Sequence, residues 1–371
     1  MLSVVIPTRS KAPSLRATLV ALAAQGHRGP YEVVVVDDGS TDGTRELLHR
    51  LAAEAAGPAP RVVEGPERGR AAARNAGAAA ARGRRLLFLD DDILTAPGHL
   101  NAHQDSSEAQ ALAHGPLREF PGARRWLERH AASDAAELAA AAARVAAGEE
   151  GRLLRNTLET LVCAMDEGKV PPVAPWAACV GANTSLPRAL FEEVGGFDEG
   201  FGRGWGCEDL ELGVRALAAG AHVVVPAPAA GVHLTHARPD RWEQHAANLD
   251  RFTALHGLRA VRELPRLLGE GGGVAAYVAA CTGPALRGVP HPGGPRAAAR
   301  RTRAPRQHTR EGPGVAEHAA HLRLVHQRAA QPVGEVGGLG ALPVAAGRGR
   351  RRVRELPVVA GPYRPRCAVR P

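Results

Sequence analysis

Apolar runs alternate with helix-spaced stretches along the first hundred residues. SVVIP (3–7) is a β-branched run that predicts a strand, and residues 14–25 carry apolar positions at helical spacing. YEVVVVDD (31–38) is apolar almost throughout, the pattern of a strand buried on both faces of a parallel sheet. GSTDGT then turns into a predicted helix over 45–56, and RVVEG (61–65) predicts a third strand. GRAAARNAGAAAARG (69–83) predicts an Ala-rich helix stopped by Gly83, and RLLFLDDD (85–92) a fourth strand. Strands alternating with helices of about ten to fifteen residues imply an α/β fold with a doubly wound, mainly parallel sheet and helices on both faces. Ligands of such sheets sit at the carboxyl ends of the strands, where Asp37–Asp38 and Asp90–Asp92 fall.

The pattern then loosens. Residues 105–170 are rich in Ala, Glu and Arg with little strand propensity, and predict a helical insertion. WAACVGANTSLPR (176–188) predicts a strand bent at Gly181–Ala182, and GGFDEGFGRGWGCED (195–209) a long glycine-rich loop. A helix over 210–219, strands HVVVP (222–226) and GVHLTH (231–236), and a helix over 241–256 follow. This divides the chain into a main domain over 1–256, a helical extension over 257–282 and a tail over 283–371.

Charge sharpens that division. The net charge is +9, but the tail holds 17 Arg, no Lys, 4 Glu and no Asp, which is +13 and leaves −4 for the first 282 residues. Glycine and proline make up 25 of the 89 tail residues and Tyr363 is its one aromatic, so it cannot bury enough surface to offset its ordering entropy. Three readings stay open: a disordered tail, an out-of-frame translation of a GC-rich gene, or a basic nucleic-acid-binding arm. The last lacks aromatic stacking platforms, which disfavours nucleic acid as a partner. The five cysteines (Cys163, Cys179, Cys207, Cys281, Cys367) form no CxxC pair, which suits a reducing compartment. The start, MLSVVIPTRSK, is not a signal peptide, and no stretch reaches the ~20 apolar residues of a membrane span. These features imply a soluble, cytoplasmic protein.

Three constellations could carry chemistry. On a strand, Asp90 and Asp92 point to one side and Asp91 to the other; a D-x-D pair at a sheet's carboxyl edge can hold a hard divalent cation, though a solvated strand-end turn is equally rich in Asp. Glu208–Asp209 follow Trp205 and the glycine-rich loop. One of them could simply cap the next helix, or the pair could be a general base beside an exposed aromatic platform for a sugar. His233 and His236 could complete a metal site, but on a regular strand a spacing of three sends them to opposite faces. Both can bind only if the chain bends after His233.

Taken in order, SVVIPTRS, VVVVDDGSTDGT, GRAAARNAGAAAARG, LLFLDDD and GGFDE…GWGCEDLELGVRALAAG resemble the inverting family 2 glycosyltransferases of GT-A-type fold, over residues 2–256. GWGCED through HLTHARPDRW also resembles the carboxyl-terminal half of the β-1,4-galactosyltransferases. The resemblance implies a metal-dependent enzyme that moves a sugar from a nucleotide-sugar, UDP favoured, to a hydroxyl of a glycan, lipid or small molecule. It implies donor contacts at Pro7, Thr8, Arg9, Asp38, Arg74, Asn75, Asp90 and Asp91, with Asp38 on the uracil. It implies Asp92, His236 and, less directly, His233 as ligands of Mn2+ or Mg2+. Asp209 matches the catalytic base, Glu208 its neighbour at the acceptor, and Trp205 an aromatic of a mobile loop that touches donor and acceptor. The insertion and the tail match nothing in it.

Three rivals are weaker. A nucleotidyltransferase acting on sugar phosphates would carry a glycine-rich basic loop after the first strand; PTRSKAPS is not glycine-rich, and Arg9 and Lys11 are a thin substitute. A dinucleotide-dependent oxidoreductase would need G-x-G-x-x-G there, which is absent. A non-enzymatic nucleic-acid binder would have to act through the tail.

Overall fold

The computed structural model describes residues 1–284 except 55–57, 107, 109, 238–239 and 270. The tail readings therefore lie outside the described residues. Among the described residues there are ten strands: β1 (Leu2–Thr8), β2 (Tyr31–Asp37), β3 (Arg61–Glu64), β4 (Arg85–Leu89), β5 (Ile93–Thr95), β6 (Ala111–His114), β7 (Leu117–Phe120), β8 (Asn183–Pro187), β9 (His222–Val224) and β10 (Gly231–Leu234). A seven-stranded sheet has the order β3-β2-β1-β4-β8-β6-β9, and a second sheet the order β5-β10-β7. In the large sheet β8 alone runs against its neighbours β4 and β6; every other pairing is parallel. This is the doubly wound, mainly parallel α/β sheet that the alternation of elements implied.

Alternation along the strands divides the core between two faces. Val5, Val34, Leu86 and Phe88 pack with the helices Arg70–Ala80 and Glu208–Ala218. Val4, Ile6, Val33, Val35, Leu87 and Leu89 pack with Ala12–Ala23 and Thr44–Glu54 on the other face. Each such fully buried aliphatic contributes on the order of 1.5–3 kcal/mol. The core thus clamps the ends of β1, β2 and β4 side by side. Gly77 matters here, because a Cβ on it would meet Val5 Cγ1 at 2.3 Å. Its absence lets the helix Arg70–Ala80 lie close enough to carry Arg74 under the end of β4.

The structure corrects several boundaries. The Ala-rich helix ends at Ala80, where Ala81 turns extended, so Gly83 does not stop it. Residues 176–188 begin as a 3-10 turn, Pro175–Ala178, and only Asn183–Pro187 are strand. The stretch 105–170 is not wholly helical. It holds the helices Ala123–Arg129, Ala135–Ala146 and Thr157–Asp166, but also β6 and β7. ALAH and LREF are too short and Ala-rich to signal strands by themselves; their pairing with β8, β9 and β10 outweighs local propensity. The helix Arg241–His256 has the expected bounds, and three short helices fill 259–282. Among the described residues no helix is long and apolar enough to cross a membrane.

Candidate active site

The chain leaves the strand at Leu89, so the three aspartates occupy a turn instead of alternating along a strand. Each meets a different partner. Asp90 Oδ1 accepts a 2.8 Å bond from Arg74. Asp91 Oδ2 accepts from Thr8 Oγ1 at 2.7 Å. Asp92 Oδ2 lies 2.5 Å from Lys11 Nζ, which is also 3.3 Å from Asp91 Oδ1. The expected pairing of Asp90 with Asp92 on one side is therefore corrected: Asp91 and Asp92 share one ammonium, and Asp90 turns to a guanidinium. Burial pushes the Asp91 carboxyl up to about 6, with Lys11 opposing and Asp92 adding to it. Burial also opposes the charge on Asp92, but His233 and Lys11 outweigh it and hold its carboxyl far below the usual range.

The second sheet brings the histidines to Asp92. His233 of β10 faces Ile93 of β5 in the antiparallel register, and Leu234 N donates to Asp92 O at 2.8 Å. The strand ends at Leu234, which supplies the bend that two ligands from this segment require. His233 Nε2 lies 3.5 Å from Asp92 Oδ1, and His236 Nδ1 3.3 Å from Asp92 Oδ2. Ligand atoms of Asp92, His233 and His236 all fall within 4.8 Å of one another. Asp92 Oδ1 is buried without a hydrogen-bond partner.

A cleft opens beside this cluster. Pro7, Thr8, Arg9 and Lys11 enter it from the end of β1, and Asp38 from the end of β2. Gly69, Arg70 and Ala73 line it from the start of the next helix, Asp90 and Asp91 from its floor, and Arg203 from the glycine-rich loop. Gly69 has φ +101°, and a Cβ on it would sit 2.2 Å from the Gly202 carbonyl oxygen. The loop can cross there only because that Cβ is missing. Arg203 Nε then donates to Glu67 O at 2.8 Å.

Beyond the loop, Cys207 takes a left-handed conformation at φ 74° and starts the helix Glu208–Ala218. Glu208 and Asp209 are its first residues, so neither is the capping residue, and both sit at the positive end of the helix dipole. Glu208 is buried; its Oε1 takes a 2.9 Å bond from Arg74, and its Oε2 has no hydrogen-bond partner. Asp209 accepts from Gly181 N and from Leu210 N, each at 2.9 Å. Burial and the neighbouring Glu208 push the Asp209 carboxyl up to about 6.

Residues 3–144 match the model of glycosyl transferase family 2, and residues 160–237 match that of the N-terminal domain of galactosyltransferase. The chain carries a glycosyl transferase family 2 domain over residues 3–144. A validoxylamine A glucosyltransferase of Streptomyces hygroscopicus subsp. jinggangensis is 34% identical over 286 residues, covering 73% of this chain and 62% of that protein. An uncharacterized glycosyltransferase, YfnE of Bacillus subtilis, is 27% identical over 259 residues, covering 63% of this chain and 64% of that one. The chain thus spans somewhat less than two thirds of the length of these relatives. A mannosyltransferase from Pyrobaculum calidifontis, solved with GDP-Man and Mn2+, superposes with a TM-score of 0.47 at 22% identity, over 76% of this chain and 67% of that one.

The expected residues divide by location. Pro7, Thr8, Arg9, Asp38, Asp90 and Asp91 line the cleft, and Asp92, His233 and His236 converge beside it. Arg74 and Asn75 do not line it. Arg74 is fully buried, joining Asp90 to Glu208. Asn75 Nδ2 donates to Phe197 O at 2.9 Å and its Oδ1 accepts from Phe197 N at 2.9 Å, which pins the glycine-rich loop. Trp205 is half-buried, so the exposed aromatic is Trp242, 46% exposed, whose ring meets Trp205 edge-on at 6.2 Å under the Arg241 guanidinium. Sequence reasoning also passed over Lys11 as a partner of the aspartates, Arg70 and Arg203 in the cleft, and Glu119, which holds His233.

Proposed function

We propose that this chain is a divalent-cation-dependent inverting glycosyltransferase that moves a sugar from a nucleotide-sugar, preferentially a UDP-sugar, to an acceptor hydroxyl. The observation that carries the reading is the convergence of Asp92, His233 and His236 beside a cleft lined by the ends of β1, β2 and β4. The residues fit a cation: the buried Asp92 carboxylate faces one imidazole at each oxygen, His233 at Oδ1, which has no hydrogen-bond partner, and His236 at Oδ2. One carboxylate and two nitrogens suit Mn2+ better than Mg2+, which prefers oxygen alone. When bound there, such an ion supplies Lewis-acid neutralisation of charge developing on the leaving diphosphate.

The remaining chemistry is assigned to the protein's own groups. Arg9, Arg70 and Arg203 give the cleft a cationic wall suited to phosphates, and Asp38 at its far end suits recognition of a base. Asp209, its carboxyl raised to about 6, takes the proton of the acceptor hydroxyl as that oxygen attacks the anomeric carbon from the face opposite the diphosphate. One such displacement inverts the configuration. The unsatisfied Oε2 of Glu208 can accept a second acceptor hydroxyl, with Arg74 holding the carboxylate in place. The glucosyltransferase name of a relative 34% identical supports sugar transfer. A panel of sugar nucleotides with Mn2+, scored for release of nucleoside diphosphate, tests the reading. Release that needs Mn2+ and is lost in Asp92→Asn supports it; no release from any donor sinks it.

A further inference from the structure

We propose that Lys11 is the resident counter-cation of the acidic cluster: its ammonium holds the Asp92 carboxylate in the metal-free protein, yields it to a divalent cation, and turns to the donor's diphosphate. This rests on the reading of Asp92, His233 and His236 as cation ligands. Lys11 Nζ and His236 Nδ1 address the same atom, Asp92 Oδ2, at 2.5 and 3.3 Å. A cation shared by Asp92 and His236 would therefore meet the ammonium on that oxygen, and two positive charges so close repel strongly.

The geometry says which of the two gives way. The Asp92 side chain is 2% exposed and fixed by its turn, whereas that of Lys11 is 24% exposed and reaches in from the solvent side on a flexible stem. Lys11 also lines the cleft together with Arg9 and Arg70. A displaced ammonium thus stays beside the place where phosphates would lie. The residue type is informative as well. Lys11 and Lys169 are the only lysines of the chain, against 45 arginines. The compact ammonium of Lys11 meets the carboxylates of two adjacent residues, Asp91 and Asp92, as a single point charge on a flexible stem.

Metal affinity should then be held down in the absence of donor and restored by it, since coupling between two ligands is reciprocal. The test uses the full chain. Mn2+ binding is followed by EPR in the wild type and in Lys11→Gln. Lysine acetylation is read by mass spectrometry, with the exposed Lys169 as internal reference. The expected results are a Mn2+ affinity about tenfold tighter in Lys11→Gln without nucleotide, and a UDP affinity weaker in Mn2+-saturated Lys11→Gln than in the wild type. In the wild type, Lys11 labelling should be slow without metal, rise with Mn2+ and fall again with Mn2+ plus UDP. Unchanged or weaker Mn2+ binding in the variant, or Lys11 labelling indifferent to bound Mn2+, would overturn the proposal. If Lys11→Gln does not fold, the wild-type labelling decides alone. Equal Mn2+ binding by wild type and Asp92→Asn would instead remove the cation site beneath it.

Discussion

Nδ1 of His233 lies 2.7 Å from Oε2 of Glu119, and the two residues are register partners on β10 and β7. Glu119 is itself held, by Asn156 Nδ2 and Thr235 Oγ1, each at 2.9 Å. With Nδ1–H donating to this carboxylate, Nε2 faces Asp92, where a bound cation would take the place of its proton. Carboxylates behind ligating histidines typically contribute 10- to 100-fold to metal affinity. Glu119→Gln should weaken Mn2+ binding by about that factor with little change in melting temperature, as followed by EPR titration and circular dichroism.

On the proposed reading, Asp209 sets the pH dependence. As a base it must be ionised, and its carboxyl is pushed up to about 6, so transfer should fall as pH drops through that value and level off above it. Asp209→Asn should lose ~10²- to 10⁴-fold in kcat while the donor still binds. A collapse of donor affinity with kcat preserved would remove the assigned role.

Arg74 joins the two halves of the site from below, with bonds of 2.8 Å to Asp90 and 2.9 Å to Glu208. Arg74→Met would leave the buried Glu208 and the half-buried Asp90 without their shared cation, at a cost of about 3–5 kcal/mol in denaturant unfolding. The pH dependence follows from Asp90. Burial opposes its charge, but Arg74 outweighs burial and depresses its carboxyl in the folded state. The stability this contributes is present above the unfolded value near ~3.9 and is lost as pH falls through the folded one. The gap between wild type and Arg74→Met should therefore narrow in acid.

Trp242 presents the exposed ring of the cluster with Trp205 and Arg241. Gln244 Oε1 accepts from Trp205 N at 3.1 Å and Asn248 Nδ2 donates to Gly206 O at 2.9 Å, so this helix holds the loop that leads into Asp209. An aromatic face there suits an acceptor ring. Trp242→Ala should raise acceptor KM roughly three- to tenfold, the scale of one aromatic contact, and leave hydrolysis of the donor unchanged.

Local patterning made the sheet legible where it was strong. β1, β2 and β4 are apolar runs, and the aspartates at the ends of β2 and β4 mark the cleft. β6 and β7 were not legible, because four-residue segments take their strand character from neighbours distant in sequence. Glu119 was hidden for the same reason, since only the β7–β10 register joins it to His233. The helix that carries Arg74 is legible in the sequence, but the burial of Arg74 away from the cleft is not, because it depends on the close approach that Gly77 allows. Lys11 was visible as a residue, but its pairing across 81 positions was not.

The most direct test of the central claim is pulsed EPR of Mn2+ bound to the full chain in the presence of UDP. Nitrogen-14 couplings from two imidazoles, one lost in His233→Ala and the other in His236→Ala, are the predicted result. Mn2+ coordinated by oxygen alone would contradict a cation held by Asp92, His233 and His236.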